Sequence, residues 1–412
     1  MNETSDGKTH GENSEHETWL FPIVWVGFVC LLIALTHRLW FVQNDVPPVA
    51  MFHWVDALPG IVGWVPLMLI LLGSLLVVRR QLAPQRAWWL VAIGFSFSFA
   101  FDQHRLQPWA YQSAIYATVF ATMRPSRARR LLIPLAASIY VYSAAGKLDF
   151  QFVHSVGQDF LGVLLGPLGL AETFSPATRV KIAFCFPLVE LTAGLLLLPA
   201  LTRCYAAYVL IAMHVSLLLM LGPLGLNHSN GVLVWNIALL VQAYFLFVAP
   251  TPLATKGRSE RNHPGQWIAI LVVFIAIVAP VTERSGVWDH WTSWALYSPH
   301  NSRVTVQVHR SVLDDLPNAV REHVAADDDG DGWQSLALDQ WSLKSLSVPV
   351  YPQGRYQLAL IERLWTQNDL DDQSIRCRLR GISSRVDGKR NETPLLGIAE
   401  VRETLKEFWF VP

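Results

Sequence analysis

The sequence WLFPIVWVGFVCLLIALTHRLWF, residues 19–41, carries no charged side chain before its last turn. A helix that crosses a bilayer needs about 20 consecutive and mostly apolar residues, so this stretch predicts a membrane-spanning helix. Eight similar apolar runs follow it, at Pro59–Val78, Ala87–Phe101, Trp109–Met123, Leu131–Ala145, Val180–Leu201, Tyr205–Leu221, Gly231–Ala249 and Trp267–Val281. The pattern predicts an all-α polytopic membrane helical bundle of about nine transmembrane helices.

Basic residues occupy every second connection between these runs. They are Arg79, Arg80 and Arg86, then Arg124, Arg127, Arg129 and Arg130, then Arg203, and finally Lys256, Arg258 and Arg261. Because connections rich in Lys and Arg stay in the cytoplasm, these four predict a cytoplasmic N-terminus. The C-terminal part is then periplasmic or extracellular, and the protein is a multi-pass protein of the cell membrane.

The segment after residue 282 has the composition of a soluble domain. Val304–Val308 alternates apolar and polar residues as a half-buried strand does, and Ser374–Ile382 is a second strand candidate. Arg355–Gln367 and Leu396–Phe408 have the apolar spacing of helices. We therefore predict a cytoplasmic polar tail at residues 1–18, a transmembrane domain at 19–282 and a small α+β exoplasmic domain at 283–412.

The overall composition agrees with this division. The chain is 52% hydrophobic, only 16% charged, and has zero formal net charge. Soluble domains carry about 25% charged residues, and a neutral chain has no basic surplus for nucleic acid. The predicted partner is the lipid bilayer, without nucleic acid, and the sequence does not identify a protein partner.

A polar hairpin separates the third and fourth runs, at residues 101–111 (FDQHRLQPWAY). Charged groups near a membrane are costly unless they pair or face a wet cavity. Asp102, His104 and Arg105 therefore either belong to a site near the outer surface or form a hairpin fixed by an Asp102–Arg105 pair. In the second case Trp109 and Tyr111 are interface anchors.

A second polar stretch, YVYSAAGKLDF at residues 140–150, ends the fifth run. Its small residues from Ser143 to Gly146 allow helices to approach closely. Lys147 follows them, and a desolvated lysine loses its proton more readily and can act as a base. The alternative is a lysine whose ammonium group reaches back to the membrane surface. Asp149 is the neighbouring acidic candidate.

Two ionisable residues lie inside apolar runs. Glu190 is near the centre of the sixth run and His214 is near the middle of the seventh. An acidic residue at membrane depth favours a functional site. The alternative is a hydrogen-bonded glutamate that ties helices together, with His214 as its partner.

Two loops complete the set of candidates. His228 and Asn230 lie in a polar exoplasmic turn, which either contributes to a site or only joins two helices. Asp327, Asp329 and Asp331 match the start of a calcium-binding loop, but Leu338 stands at its twelfth position, where a glutamate is required. We interpret this segment as a solvated acidic turn, with a metal site as the alternative.

The stretch YSAAGKLD, residues 142–149, resembles a motif of the horizontally transferred transmembrane domain (HTTM) family, which includes the vitamin K-dependent gamma-glutamyl carboxylase. The hairpin at 102–111 and the small-residue turn before Asn236 are similar to bacterial members. The resemblance covers roughly residues 19–280.

The resemblance implies a site chemistry. In the carboxylase a lysine directly before Leu-Asp deprotonates reduced vitamin K on the luminal side. Reaction with oxygen then yields an epoxide and a strong base. This base removes a proton from a substrate glutamate, which takes up carbon dioxide. That lysine corresponds to Lys147. The implied cofactor is a reduced quinone of the menaquinol or vitamin K type. With Lys147, the candidate catalytic residues are Asp149, Asp102 and Arg105, and the candidate pocket residues are His104, Trp109, Tyr111, Glu190, His214, His228 and Asn230.

The chain also departs from the carboxylase. Trp109 stands where the carboxylase has a catalytic histidine, and His104 comes several residues earlier. The C-terminal region is shorter than the luminal region that captures the carboxylase substrate. The resemblance therefore implies a quinone-sized apolar pocket with a base at its mouth, and not protein carboxylation.

A weaker resemblance connects Pro187–Leu191 (PLVEL) with the glutamate-bearing helix of DoxX-like membrane proteins. Two functions follow from these patterns. The first is an HTTM-family enzyme with carboxylase-like base chemistry on a lipid-soluble quinol at the exoplasmic face. The alternative is a non-catalytic membrane scaffold, or a redox-linked DoxX-like subunit, with an exoplasmic interaction domain.

Overall fold

The computed structural model of the chain describes residues 9–41, 45–79, 84–170, 173–249 and 264–410. In these residues the backbone is mainly helical, with one small antiparallel sheet near the C-terminus. Residues 1–8 of the predicted tail, Arg80, and the predicted basic connection with Lys256, Arg258 and Arg261 lie outside the described residues. The first helix begins at Thr9, before the predicted boundary at Trp19.

The apolar runs all form helices. In chain order these are α1 (Thr9–Leu35), α2 (His37–Trp40), α3 (His53–Asp56), α4 (Val65–Arg79), α5 (Pro84–Phe101), α6 (Pro108–Thr122), α7 (Pro125–Lys147), α8 (Phe150–His154), α9 (Val156–Leu165), α10 (Pro176–Leu196), α11 (Arg203–Leu221), α12 (Asn230–Ala243) and α13 (Gly265–Val278). A π-helical turn at Tyr244–Val248 extends α12, and a 3-10 turn at Ala279–Ser285 extends α13.

Within the described residues, four helical stretches are long and apolar enough to cross a membrane, which is fewer than the nine predicted. They are Gly60–Arg79, Arg203–Leu221, Asn230–Val248 and Gly265–Ser285. The other apolar helices do not reach the length and apolar composition needed to cross a membrane, and α6 and α10 show two of the reasons. Helix α6 has only 15 residues, and α10 carries three charged residues, Arg179, Lys181 and Glu190.

A fifth span is possible if a bent pair counts as one. Helix α7 and the helical stretch Phe150–Leu168 meet at an angle of 66°. The sequence analysis found no apolar run between Ala145 and Val180, because α8 and α9 are too short to show a full apolar span. This bend places the end of α7, with Lys147, against residues from later in the chain.

Glycines permit the closest helix contacts. A Cβ added at Gly94 of α5 would lie 2.8 Å from the carbonyl oxygen of Pro66. On α10, a Cβ added at Gly194 would lie 3.0 Å from the Cβ of Tyr140 on α7. Small residues at crossings let helix backbones approach in membranes. The second contact holds α10 close to the helix that carries Lys147.

The C-terminal part is an α+β unit. Its sheet has the antiparallel order β2-β1-β3-β4. The strands are β1 (Arg303–His309), β2 (Trp333–Leu336), β3 (Ile375–Arg380) and β4 (Glu392–Leu396), and the helices are α14 (Asn318–Arg321), α15 (Leu338–Leu346), α16 (Gly354–Gln367) and α17 (Gly397–Lys406).

Alternating burial explains why the first strand was evident in the sequence. Val304, Val306 and Val308 are buried, while the residues between them are exposed. Strand β3, helix α16 and helix α17 also lie in the predicted segments. The sequence did not predict β2 and β4, which are short and lack an alternating apolar pattern.

The polar hairpin at residues 101–111 joins this unit to the helices. His104 Nε2 lies 2.9 Å from the carbonyl oxygen of Pro349, and Arg355 donates to Gln103 Oε1 at 2.6 Å. Arg355, which is buried, also forms an ion pair with the half-buried Asp289. Because these polar groups are buried and partnered, the C-terminal unit is held directly on the helical part.

Candidate functional site

A cavity of about 250 Å³ lies between the ends of the helices and the C-terminal unit. Its lining is mostly apolar with a few polar groups, as is usual for small-molecule sites. The lining residues are Thr36, Gln107, Pro108, Trp109, Ile139, Tyr140, Ser143, Lys147, Glu190, Met213, His214, Leu217, His228, Ser229, Gly231, Val232, Trp235, Asn236, Leu239, Trp291, Leu296, Tyr297, Val348 and Pro349.

An ion pair forms one polar part of this wall. Lys147 Nζ lies 2.6 Å from Glu190 Oε2 and donates to Ser143 Oγ at 2.8 Å. Both charged side chains are less than a tenth exposed. Lys147 is the last residue of α7, where the helix dipole favours a cation. The pair therefore compensates two charges that would each be costly alone in this setting.

A hydrogen-bonded triad forms a second polar part. His214 Nε2 lies 3.0 Å from Tyr140 Oη, and His214 Nδ1 lies 3.1 Å from Asn236 Oδ1. Asn236 donates its amide to the carbonyl oxygen of Val232, so its Oδ1 is free to accept. This network assigns the proton to Nδ1 of His214, and Tyr140 then donates to Nε2.

The sequence suggested His214 as the partner of Glu190, and the structure pairs these residues differently. Glu190 accepts from Lys147, and His214 joins Tyr140 and Asn236. Both residues still line the same cavity. The reason is geometric, since the lysine at the end of α7 reaches the carboxylate and satisfies its charge.

The structure places three further candidates at or near the cavity. Trp109 lines it and packs against Trp40 with ring centroids 5.5 Å apart. His228 lines it at the turn before α12, and partial burial lowers the pKa of its imidazole. Asn230 is exposed at the first turn of α12, next to Gly231, which does line the cavity.

Asp102, His104 and Arg105 lie in the hairpin, outside the lining of this cavity. Asp102 Oδ1 accepts from the backbone nitrogen of His104 at 3.0 Å, and Arg105 Nε donates to the carbonyl oxygen of Leu39 at 3.2 Å. Burial lowers the pKa of the His104 imidazole, more than the nearby Asp102 raises it. The contacts of these three residues shape the hairpin and attach the C-terminal unit.

Asp149 and Tyr111 also lie outside the lining. Asp149 caps α8 by accepting from the backbone nitrogen of Gln151 at 2.8 Å, and it accepts from Arg284 at 2.7 Å. The ring of Tyr111 lies 5.2 Å from that of Trp294. Both residues connect the helical part to the segment that follows α13.

Sequence reasoning did not select several residues that line the cavity. Tyr140 and Ser143 share one face of α7 with Lys147, at a spacing of three and four residues, and this periodicity was visible in the sequence. Val348 and Pro349 come from the C-terminal unit, about 200 residues after the end of α7. Only the tertiary fold brings these two residues next to α7. No local pattern marks them.

The acidic turn forms a separate cluster. One oxygen of each of Asp327, Asp329 and Asp331 lies within 4.8 Å of the others. Asp327 accepts from the backbone nitrogens of Gly330 and Gly332. The carboxylates thus stabilise the turn itself, as expected for a solvated acidic loop.

Comparison of the chain with protein-family models, with curated proteins and with solved structures gives no match.

Proposed function

We propose that the protein is a multi-pass membrane enzyme of the HTTM type that binds a lipid-soluble quinol and deprotonates it at the Lys147–Glu190 pair. One observation carries the proposal. The ion pair, with 2.6 Å between Nζ and Oε2, forms part of the wall of a largely apolar cavity. Ionisable groups inside a membrane are rare and are usually functional.

The cavity suits the headgroup of such a molecule. Its volume of about 250 Å³ is close to the small end of ligand pockets, which hold about 300–1,000 Å³. A ring system with one or two oxygens fits its apolar lining, which includes Trp109, Met213 and Trp235. An apolar tail would extend from it into the bilayer.

The two polar parts of the wall suit a ligand with oxygens at both ends. Tyr140, which hydrogen-bonds His214, precedes Lys147 by two helical turns on α7, about 10 Å along the axis. One hydroxyl of a quinol would face Lys147 and Glu190. The other oxygen would face the triad of Tyr140, His214 and Asn236.

The proton balance is simple. The Lys147–Glu190 pair carries no net charge as ammonium and carboxylate, or as amine and carboxylic acid. Accepting the hydroxyl proton breaks one O–H bond of the quinol and gives the pair a charge of +1 beside the quinolate charge of −1. This opposite charge stabilises the quinolate anion.

The proposal takes all nine apolar segments as embedded in the membrane, with the cavity near the exoplasmic face. Val348 and Pro349 of the C-terminal unit line the same cavity as Lys147, which supports a position of this unit and the end of α7 on the same side of the membrane. The distribution of Lys and Arg independently favours the exoplasmic side. The resemblance of residues 142–149 to the HTTM motif also supports the assignment.

The test uses the purified protein in detergent with a reduced naphthoquinone and oxygen. Binding is followed through tryptophan fluorescence, since Trp109, Trp235 and Trp291 line the cavity. Turnover is followed by mass spectrometry of the epoxide, which forms with one water from one quinol and one dioxygen. We expect binding and turnover in the wild type, and loss of turnover in Lys147→Met.

Lys181→Met is the matched control, because Lys181 is exposed on α10 and does not line the cavity. It should bind and react as the wild type does. Epoxide formation that persists in folded Lys147→Met would exclude the proposed base. Absence of both binding and epoxide in the wild type would reject the quinol and favour the scaffold.

A further inference from the structure

Three side chains with metal-binding atoms meet just after α13. Glu283 lies in the 3-10 turn at Ala279–Ser285, and His290 and His300 follow in the loop before β1. His290 Nδ1 lies 2.9 Å from Glu283 Oε1, and His300 Nε2 lies 3.0 Å from both carboxylate oxygens. One ligand atom of each residue lies within 4.8 Å of the others.

Burial distinguishes this cluster from ordinary surface charge. Glu283 is 8% exposed, His290 is 4% exposed and His300 is fully buried. A buried carboxylate and two imidazoles whose nitrogens converge on one point are the ligands of many zinc sites. In a tetrahedral site with bonds of about 2.0–2.1 Å, ligand atoms are about 3.3 Å apart. The two nitrogen–carboxylate separations, 2.9 Å and 3.0 Å, are close to that value, and the two histidine nitrogens lie within 4.8 Å of each other.

The ligand types select the class of ion. Two imidazoles favour zinc and similar transition metals, whereas calcium and magnesium prefer oxygen ligands throughout. The adjacent cation Arg284 opposes a positive ion, but its guanidinium donates to Asp149 at 2.7 Å and is thereby compensated. A cluster of three residues leaves a fourth position for water or an added ligand.

We propose that Glu283, His290 and His300 bind one zinc-class divalent ion at the junction between α13 and the C-terminal unit. The inference goes beyond the quinol chemistry and does not depend on it. The ion would be a positioning element, because the loop between His290 and His300 supplies Trp291, Leu296 and Tyr297 to the cavity.

The neighbourhood explains what the ion would hold in place. A Cβ added at Gly146 would lie 2.6 Å from Ser298 Oγ and 3.5 Å from His300 Cε1. The loop is therefore packed against the last turn of α7, one residue before Lys147. Two of its residues, Trp294 and Tyr297, have positive φ angles of 60° and 55°, which persist only where the surroundings fix the backbone.

The test measures the zinc content of the full-length purified protein by elemental mass spectrometry, after the protein has been loaded with Zn²⁺ and free ion has been removed. We expect about one zinc per chain in the wild type, and loss of that zinc in the double variant His290→Ala/His300→Ala. Two controls should keep it: His309→Ala, a histidine in the same unit, and Asp327→Asn, in the acidic turn.

A stability measurement covers the case in which the double variant does not fold. Chelation should lower the melting temperature of the wild type, and Zn²⁺ should restore it. Cobalt replacement should give the visible absorption of a four-coordinate site. A wild type that retains no zinc and does not respond to chelator overturns the proposal, as does zinc that survives loss of both histidines or disappears in Asp327→Asn.

Discussion

The Lys147–Glu190 ion pair gives the sharpest prediction. Two unit charges 2.6 Å apart attract by about 6 kcal/mol at an effective dielectric of about 20. Removing one partner leaves the other charge buried and unpaired, which typically costs about 3–5 kcal/mol. We therefore expect Lys147→Met and Glu190→Leu each to lower the free energy of unfolding by about 3–5 kcal/mol.

The double variant should behave differently. Replacing a buried pair by apolar residues of similar size is often neutral or stabilising, so Lys147→Met/Glu190→Leu should recover most of the loss. The coupling energy of the double-mutant cycle should then exceed about 2 kcal/mol. Lys181→Met, on the exposed face of α10, should change stability by less than about 0.5 kcal/mol.

The assay is chemical denaturation in detergent micelles, followed by tryptophan fluorescence and by helical circular dichroism. Coincident transitions from the two signals are required before the free energies are compared. Additive single effects, with a coupling below about 0.5 kcal/mol, would refute the reasoning that the two side chains neutralise each other.

Three further predictions concern other parts of the molecule. Burial lowers the pKa of the His104 imidazole in the folded state. Below about pH 6.5 the unfolded chain therefore binds a proton at this histidine that the folded protein does not bind. The contribution of His104 to the free energy of unfolding is largest above about pH 6.5 and falls as the pH decreases, by at most about 1.4 kcal/mol per pH unit. His104→Gln should flatten this fall in denaturation curves recorded between about pH 7 and pH 5. Gly94→Ala should cost about 1–3 kcal/mol, because its Cβ would lie 2.8 Å from the Pro66 oxygen. Gly27→Ala is the control, because nothing lies within 4 Å of the new Cβ, and it should not destabilise the protein. Both glycine variants are compared with the wild type by their melting temperatures. Burial raises the pKa of the Cys377 thiol to about 12, so iodoacetamide should label exposed Cys204 in the folded protein well before Cys377, as measured by peptide mass spectrometry.

Each of these predictions has a contradicting result. An unchanged pH slope in His104→Gln would show that other groups cause the acid sensitivity. Equal melting temperatures for the two glycine variants would mean that the contact between α4 and α5 can relax. Equal labelling rates for the two cysteines would mean that the sheet opens on the timescale of the reaction.

The helices were the part of the fold that local sequence could predict. Runs such as Trp267–Val281 are apolar over their whole length, and a backbone in an apolar environment satisfies its hydrogen bonds by forming a helix. The main helical class and the small C-terminal sheet are confirmed. The number of spanning helices was harder, because α6 is short and α10 carries three charges.

The site was predictable only in part. Lys147, Glu190 and His214 attract attention one by one, since each is an ionisable group at the end or centre of an apolar run. The partners of these residues depend on how the helices pack, which the sequence does not show. The sequence suggested that Glu190 contacts His214, whereas in the structure Glu190 forms an ion pair with Lys147. Glu283 and His290 are seven residues apart, which is two turns of an α-helix, but the helical turn that carries Glu283 ends at Ser285, and His300 follows ten residues after His290. Only the fold of the loop brings them together.

The bond between His104 and Pro349 also has a consequence for how the chain matures. Its two residues are 245 positions apart. At a synthesis rate of about 5–20 residues per second, the hairpin is made roughly 12–50 s before its partner. During that interval the partner of His104 and the wall formed by Val348 and Pro349 do not yet exist. The cavity is therefore completed only after residues 348–349 have been made, so a chain truncated before them would lack this part of the wall.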